Sequence, residues 1–171
     1  MKTKDLILIS FFTALTVICS YIKIILPFTP VPVTFQTLAV ILSGIILGPV
    51  NGILSQILFL ALIILFPVIP SGSSLAVLYG PTGGYISGFI FSAFISGYIY
   101  KRKKDDKHLI IAYIFGLLVI FASGVLWLAL GHNMNFISAL TVGLIPFIPG
   151  EIIKFLLAVA IIKRIEPLKI A

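Results

Sequence analysis

The chain has 171 residues, 60% of them hydrophobic and 10% charged, with a net charge of +7. A soluble domain carries about 25% charged residues, so the composition excludes water as the solvent for most of this surface and implies a lipid bilayer. The basic residues sit in short clusters between apolar runs, a pattern that fits orientation in a membrane better than nucleic-acid binding.

A helix that crosses a bilayer needs roughly 20 apolar residues, or about 17 in a compact case. The first such run covers residues 6–26, behind Lys2 and Lys4. It resembles a signal peptide, but it is long and no Ala-x-Ala cleavage site follows, so a retained first helix is expected. Cys19 inside it has no cysteine partner and reads as packing. Residues 34–66 are apolar but broken at Gly48-Pro49-Val50-Asn51-Gly52, which predicts two short helices around a tight turn, the first of them a candidate for partial re-entry. Residues 85–100 and 109–130 fit two further spans. A last one begins near Gly150, after Pro146 and Pro149, and ends before Lys163-Arg164. The expected fold class is an all-α integral membrane protein, one domain over residues 1–171 with six transmembrane helices.

Lys and Arg collect on the cytoplasmic side of a membrane protein. Lys2 and Lys4 precede the first span, Lys101, Arg102, Lys103, Lys104 and Lys107 lie between the fourth and fifth, and Lys163, Arg164 and Lys169 follow the sixth. Six spans put all three clusters on one side, so both termini are expected to be cytoplasmic. Lys23 and Lys154 remain. Lys23 lies at the outer end of the first span, where it either snorkels to water or meets a ligand.

Under this topology residues 27–36, 67–85 and 131–150 face outward. They contain no Asp, Glu, Lys or Arg and are rich in Pro, Gly, Ser, Thr and aromatics, a composition suited to a pocket or lid rather than a solvated loop. The prolines of Pro30-Val31-Pro32-Val33-Thr34-Phe35-Gln36 stiffen an extended entry into the second helix. Gln36 then offers an amide to a ligand, or simply meets water at a helix end. Gly80-Pro81-Thr82-Gly83-Gly84-Tyr85 opens the fourth span with paired glycines that allow close backbone approach. Tyr79, Tyr85 and Trp127 are either pocket walls or members of an interfacial aromatic belt. In Pro149-Gly150-Glu151-Ile152-Ile153-Lys154, Glu151 and Lys154 share a helix face three residues apart, inside an otherwise uncharged run. Such a pair is either a neutralised structural couple or a ligand site at a helix N-terminus.

No Gly-x-x-x-x-Gly-Lys-Ser/Thr loop is present to bind ATP phosphates, and no His-Glu-x-x-His zinc motif. His108 and His132 fall on opposite sides of the membrane. The hydroxyls of Ser71-Gly72-Ser73-Ser74 have no evident base to activate them. These absences disfavour an enzyme, and neither a catalytic residue nor a metal is expected.

Four motifs recur in one order: Pro30-Val31-Pro32-Val33-Thr34-Phe35-Gln36-Thr37-Leu38, Leu47-Gly48-Pro49, Gly80-Pro81-Thr82-Gly83-Gly84-Tyr85, and Pro146-x-x-Pro149-Gly150-Glu151-x-x-Lys154. Together they closely resemble the BioY family, the biotin-binding S components of energy-coupling-factor (ECF) transporters, over nearly the whole chain. The resemblance implies a substrate-binding protein of a prokaryotic cytoplasmic membrane, without a cofactor of its own. It also implies partners, a transmembrane coupling subunit and two ATPase subunits. The family's last motif usually reads Gly-Asp-x-x-Lys, and Glu151 replaces that Asp here. Its docking face on the first helix, usually Ala-x-x-x-Ala, is represented by Ser10 and Ala14, with Ile18 a turn later. The resemblance sets the biotin carboxylate against Lys154 and the ureido ring against Gln36, Thr34, Glu151 and the backbone around Gly83 and Gly84. Phe35, Tyr79, Tyr85 and Trp127 are the apolar contacts it implies. The competing readings are a self-sufficient secondary transporter with Glu151 as the proton-coupling acid, an intramembrane enzyme, and a purely structural subunit.

Overall fold

The computed structural model describes residues 2–70 and 75–165, so Ser71-Gly72-Ser73-Ser74 and Lys169 lie outside the described residues. The architecture is a helix bundle with one small β-ribbon near its end.

Helix α1 (Thr3–Tyr21) starts at Lys2, whose backbone N–H donates to Asp5 at 3.0 Å. It buries Ile9, Phe12, Thr13, Thr16 and Cys19 and leaves Ile7, Ser10, Phe11, Ala14 and Ile18 exposed. The helix ends short of the expected residue 26, because the chain turns extended. Strand β1 (Lys23–Ile24) pairs antiparallel with β2 (Val33–Thr34), Lys23 opposite Thr34. Runs rich in isoleucine suit a strand as well as a helix, and Lys23 therefore lies on the ribbon rather than on the first helix.

Helix α2 (Gln36–Leu47) is 12 residues long, about 18 Å at 1.5 Å per residue, against a hydrocarbon core of about 30 Å. Helix α3 (Pro49–Leu65) follows at once. Gly48 alone makes the break, with φ at 82°, and Pro49 occupies the first turn of α3. Val50, Asn51 and Gly52 belong to the helix rather than to the turn. Helix α4 (Leu75–Tyr79) is a single short turn, and α5 (Gly83–Arg102) begins two residues before the expected span.

Helix α6 (Asp106–Gly131) is capped by Asp105, which accepts from the His108 backbone N–H at 2.7 Å, a bond that holds its carboxyl below the usual carboxylate range. The outer segment expected as loop after α6 is mostly helical: α7 (Phe136–Gly143), then a 3-10 turn (Ile145–Phe147) that leads directly into α8 (Ile148–Ile165). Among the described residues α1, α6 and the stretch Phe136–Ile165 are long and apolar enough to cross a membrane.

Small residues draw the central helices together. A Cβ on Gly44 of α2 would lie 2.2 Å from the Ala93 carbonyl of α5, and one on Gly52 of α3 would lie 2.9 Å from the Gly44 Cα. Backbones this close gain dispersion and weak polar contacts in lipid, where no hydrophobic force drives helices together. Helices α5 and α6 share the most extensive contact. The turn at Gly48, the basic start of α6 and the end of α8 gather at one end of the bundle, where Lys163 meets Asp106 at 2.7 Å. The ribbon lies at the other end.

Candidate functional site

A cavity of about 50 Å³ opens beneath the ribbon. The prolines of residues 30–32 hold the chain extended, so Thr34 faces this space and Gln36 and Thr37 open α2 beside it. Glu151 reaches the same space from the first turn of α8. Its side chain accepts from the Thr37 hydroxyl at 2.9 Å and from Lys154 Nζ at 2.5 Å. Lys154 also donates to the Thr34 carbonyl at 2.6 Å and to Thr37 Oγ1 at 2.9 Å. All three of its N–H bonds are thus engaged within the protein. It is 2% exposed and stands behind the cavity wall, with Phe35 5.8 Å from its ammonium. The pair is electrically balanced, as a buried ion pair must be, and its remaining lone pairs face the cavity through Glu151.

Gln36 completes the polar wall. Its Oε1 accepts from the Thr34 hydroxyl at 3.2 Å, while its buried Nε2 has no hydrogen-bond partner. Turning the amide over would only exchange which of the two atoms is unmatched. A buried unpaired amide costs about 1–3 kcal/mol, and this one borders a cavity. With the amide oriented toward Thr34 through Oε1, the wall presents an unused donor at Gln36 beside an acceptor at Glu151.

The opposite wall is aromatic. Tyr85 donates its hydroxyl to the Gly143 carbonyl at 2.8 Å, stacks on Phe147 at 6.2 Å and meets the edge of Phe121 at 6.0 Å. A Cβ on Gly124 would lie 2.3 Å from the Tyr85 ring, so that glycine makes room for it.

Of the residues singled out in the sequence, Thr34, Gln36, Tyr85 and Glu151 line the cavity together. Lys154 and Phe35 support that wall from behind. The structure does not bring Tyr79, Gly83, Gly84 or Trp127 to it. Tyr79 is 71% exposed. Trp127 donates its indole N–H to the Gly80 carbonyl at 2.9 Å and packs on Gly84, where a Cβ would lie 2.1 Å from the Trp127 Cβ. Gly83 closes against Leu78 in the turn before α5. Gly83, Gly84 and Trp127 hold α4, α5 and α6 together. Lys23, read from the sequence as either snorkelling to water or meeting a ligand, also lines the cavity, while sequence reasoning missed Thr37, Phe121 and Phe147, all of which bear on this site. For Phe147 a signal existed, an aromatic between two prolines in an uncharged outer segment; Phe121 in mid-span looks like any lipid-facing ring.

The BioY family model matches residues 1–170. A biotin transporter BioY from Rhizobium etli is 35% identical, covering 92% of this chain and 90% of the relative. A probable biotin transporter BioY from Pyrococcus horikoshii is 38% identical, covering 97% and 98%. The crystal structure of the S-component for biotin from an ECF-type ABC transporter superposes with a TM-score of 0.88 at 32% identity, covering 98% of this chain and 95% of that one. A match over the whole length, in sequence and in fold, means that this chain belongs to the BioY family.

Proposed function

We propose that this protein is the biotin-binding S component of an ECF-type ABC transporter and serves biotin uptake. The observation that carries the reading is the unmatched Gln36 amide beside the Glu151 carboxylate in one cavity. A ureido ring has a carbonyl for the first and N–H groups for the second. Tyr85, Phe121 and Phe147 suit its apolar bicycle, as the mostly apolar wall of a small-molecule site does. The cavity is far smaller than the roughly 300–1,000 Å³ of typical ligand sites, so uptake of biotin requires the wall to open.

Six helices cross the membrane in this reading: α1, α2, α3, α5, α6 and α8. The basic clusters and both termini face the cytoplasm of a prokaryotic cell, and the cavity faces outward. A transmembrane coupling subunit and two ATPase subunits supply the energy. The engagement of Glu151 by Lys154 counts against the alternative of a free proton-coupling acid in a secondary transporter.

The test is equilibrium binding of labelled biotin to the purified protein, wild type beside Gln36→Leu. Saturable binding by the wild type is expected. The variant should bind about ten- to a hundredfold more weakly, the equivalent of a lost hydrogen bond to a buried polar group. Its unliganded thermal stability should hold or rise, because the orphan amide is gone. Absence of saturable binding by folded wild type would overturn the assignment.

A further inference from the structure

Lys23 lines the cavity at its exposed rim. It pairs directly with Thr34 across the ribbon, and residues opposite each other in an antiparallel pair project to the same face with Cβ atoms about 4.5–5.5 Å apart. The Thr34 hydroxyl in turn donates to Gln36. The ammonium of Lys23 therefore stands on the same wall as the donor–acceptor pair and nearer to water.

No carboxylate among the described residues is bonded to it. Asp5 is held by the Lys2 backbone, Asp105 by His108, Asp106 by Lys163 and Glu151 by Lys154. Glu151 and Lys154 cancel, which leaves Lys23 as one unbalanced positive charge at the cavity. Such a site selects a ligand with a neutral hydrogen-bonding head and a single anionic group at the other end. Lys154 has no N–H left for that anion.

We infer that Lys23, rather than Lys154, pairs with the ligand carboxylate, so that biotin enters head first and its carboxylate stays at the mouth; this rests on the biotin reading above. The cation remains hydrated until the ligand arrives, so the pair forms without the desolvation cost of a deep ion pair.

The experiment compares biotin with biotinamide, whose carboxamide is neutral, in equilibrium binding to wild type, Lys23→Gln and Lys23→Arg. The wild type should prefer biotin by roughly three- to tenfold, the range for a partly exposed charge-assisted contact. Lys23→Gln should lose that preference because biotin binding weakens more than biotinamide binding, and Lys23→Arg should keep it. A wild-type melting curve establishes that Lys23→Gln is folded. A preference that persists in Lys23→Gln, or equal weakening of both ligands, overturns the role of Lys23 and leaves biotin binding in place. Failure of folded wild type to bind either ligand removes the biotin reading and this inference with it.

Discussion

Lys154 is a cation with every donor spent on the protein, and Glu151 shares that confinement at 4% exposure. Removing one partner leaves the other charged and buried, which costs about 3–5 kcal/mol, whereas removing both together is far milder. Lys154→Met is accordingly expected to lower the melting temperature sharply. Adding Glu151→Gln to it should restore most of the loss, yet biotin binding should stay weak, because Glu151 itself faces the cavity. Melting curves and binding isotherms on the single and double variants check this; a Lys154→Met protein as stable as wild type would mean that the pair does not hold α8 against α2. The importance of this pair was legible in the sequence, since two ionisable residues three apart in an apolar run have few roles. Its partner was not. Thr37 differs from any other threonine of an apolar helix only through the hydroxyl it places between Lys154 and Glu151. Trp127 and Tyr79 show the converse failure, because an aromatic at the membrane edge and one in a pocket have the same sequence surroundings.

Helices α2, α3 and α5 approach most closely at glycines. The methyl of Gly44→Ala would run into the Ala93 carbonyl and the Ser96 hydroxyl, at 2.2 and 2.3 Å, and backbone cannot step aside as a flexible side chain can. The expected cost is about 1–3 kcal/mol, read as a drop in melting temperature. Gly80→Ala, whose methyl finds nothing nearer than 3.4 Å, should leave the melting temperature nearly unchanged. Equal effects of the two substitutions would show that the crossing is looser than its geometry. The helices themselves were largely legible from apolar length, and the Gly48-Pro49 break came out within a few residues. What length does not encode is where a run stops being helical. Residues 22–26 continue the hydrophobicity of α1, yet Ile24 hydrogen-bonds into a ribbon with Val33. Residues 136–147 look like an uncharged loop and instead form α7 and a 3-10 turn. In both places the tertiary partner decides: β2 recruits the end of α1's run, and Gly143 of α7 receives the Tyr85 hydroxyl.

Charge and shape divide the whole molecule into two ends, with the basic clusters at one and the cavity at the other. Nothing in the sequence binds nucleotide phosphates through a phosphate loop, so any ATP-driven movement must enter through a surface that a partner can grip. The outward face of α1 is suited to that. Ser10 and Ala14 are exposed and one turn apart, flanked by Ile7, Phe11 and Ile18. In a bilayer two helices gain little by hiding apolar area from lipid, and close approach over small residues supplies the association instead. Leucine at both positions keeps the face apolar and leaves the buried face of α1, which carries Phe12, Thr13 and Thr16, untouched. Ser10→Leu/Ala14→Leu is therefore expected to fold and to bind biotin within about twofold of wild type, as distant independent sites do. It should no longer copurify with the proposed coupling subunit and ATPases, and biotin accumulation by cells that carry the whole set should fall to the level seen without the ATPases. Copurification at the wild-type yield would place the docking surface on another helix, while lost biotin binding would mean that this face of α1 communicates with the cavity through Ser20 and Lys23, the two residues that carry the chain from α1 onto the cavity wall.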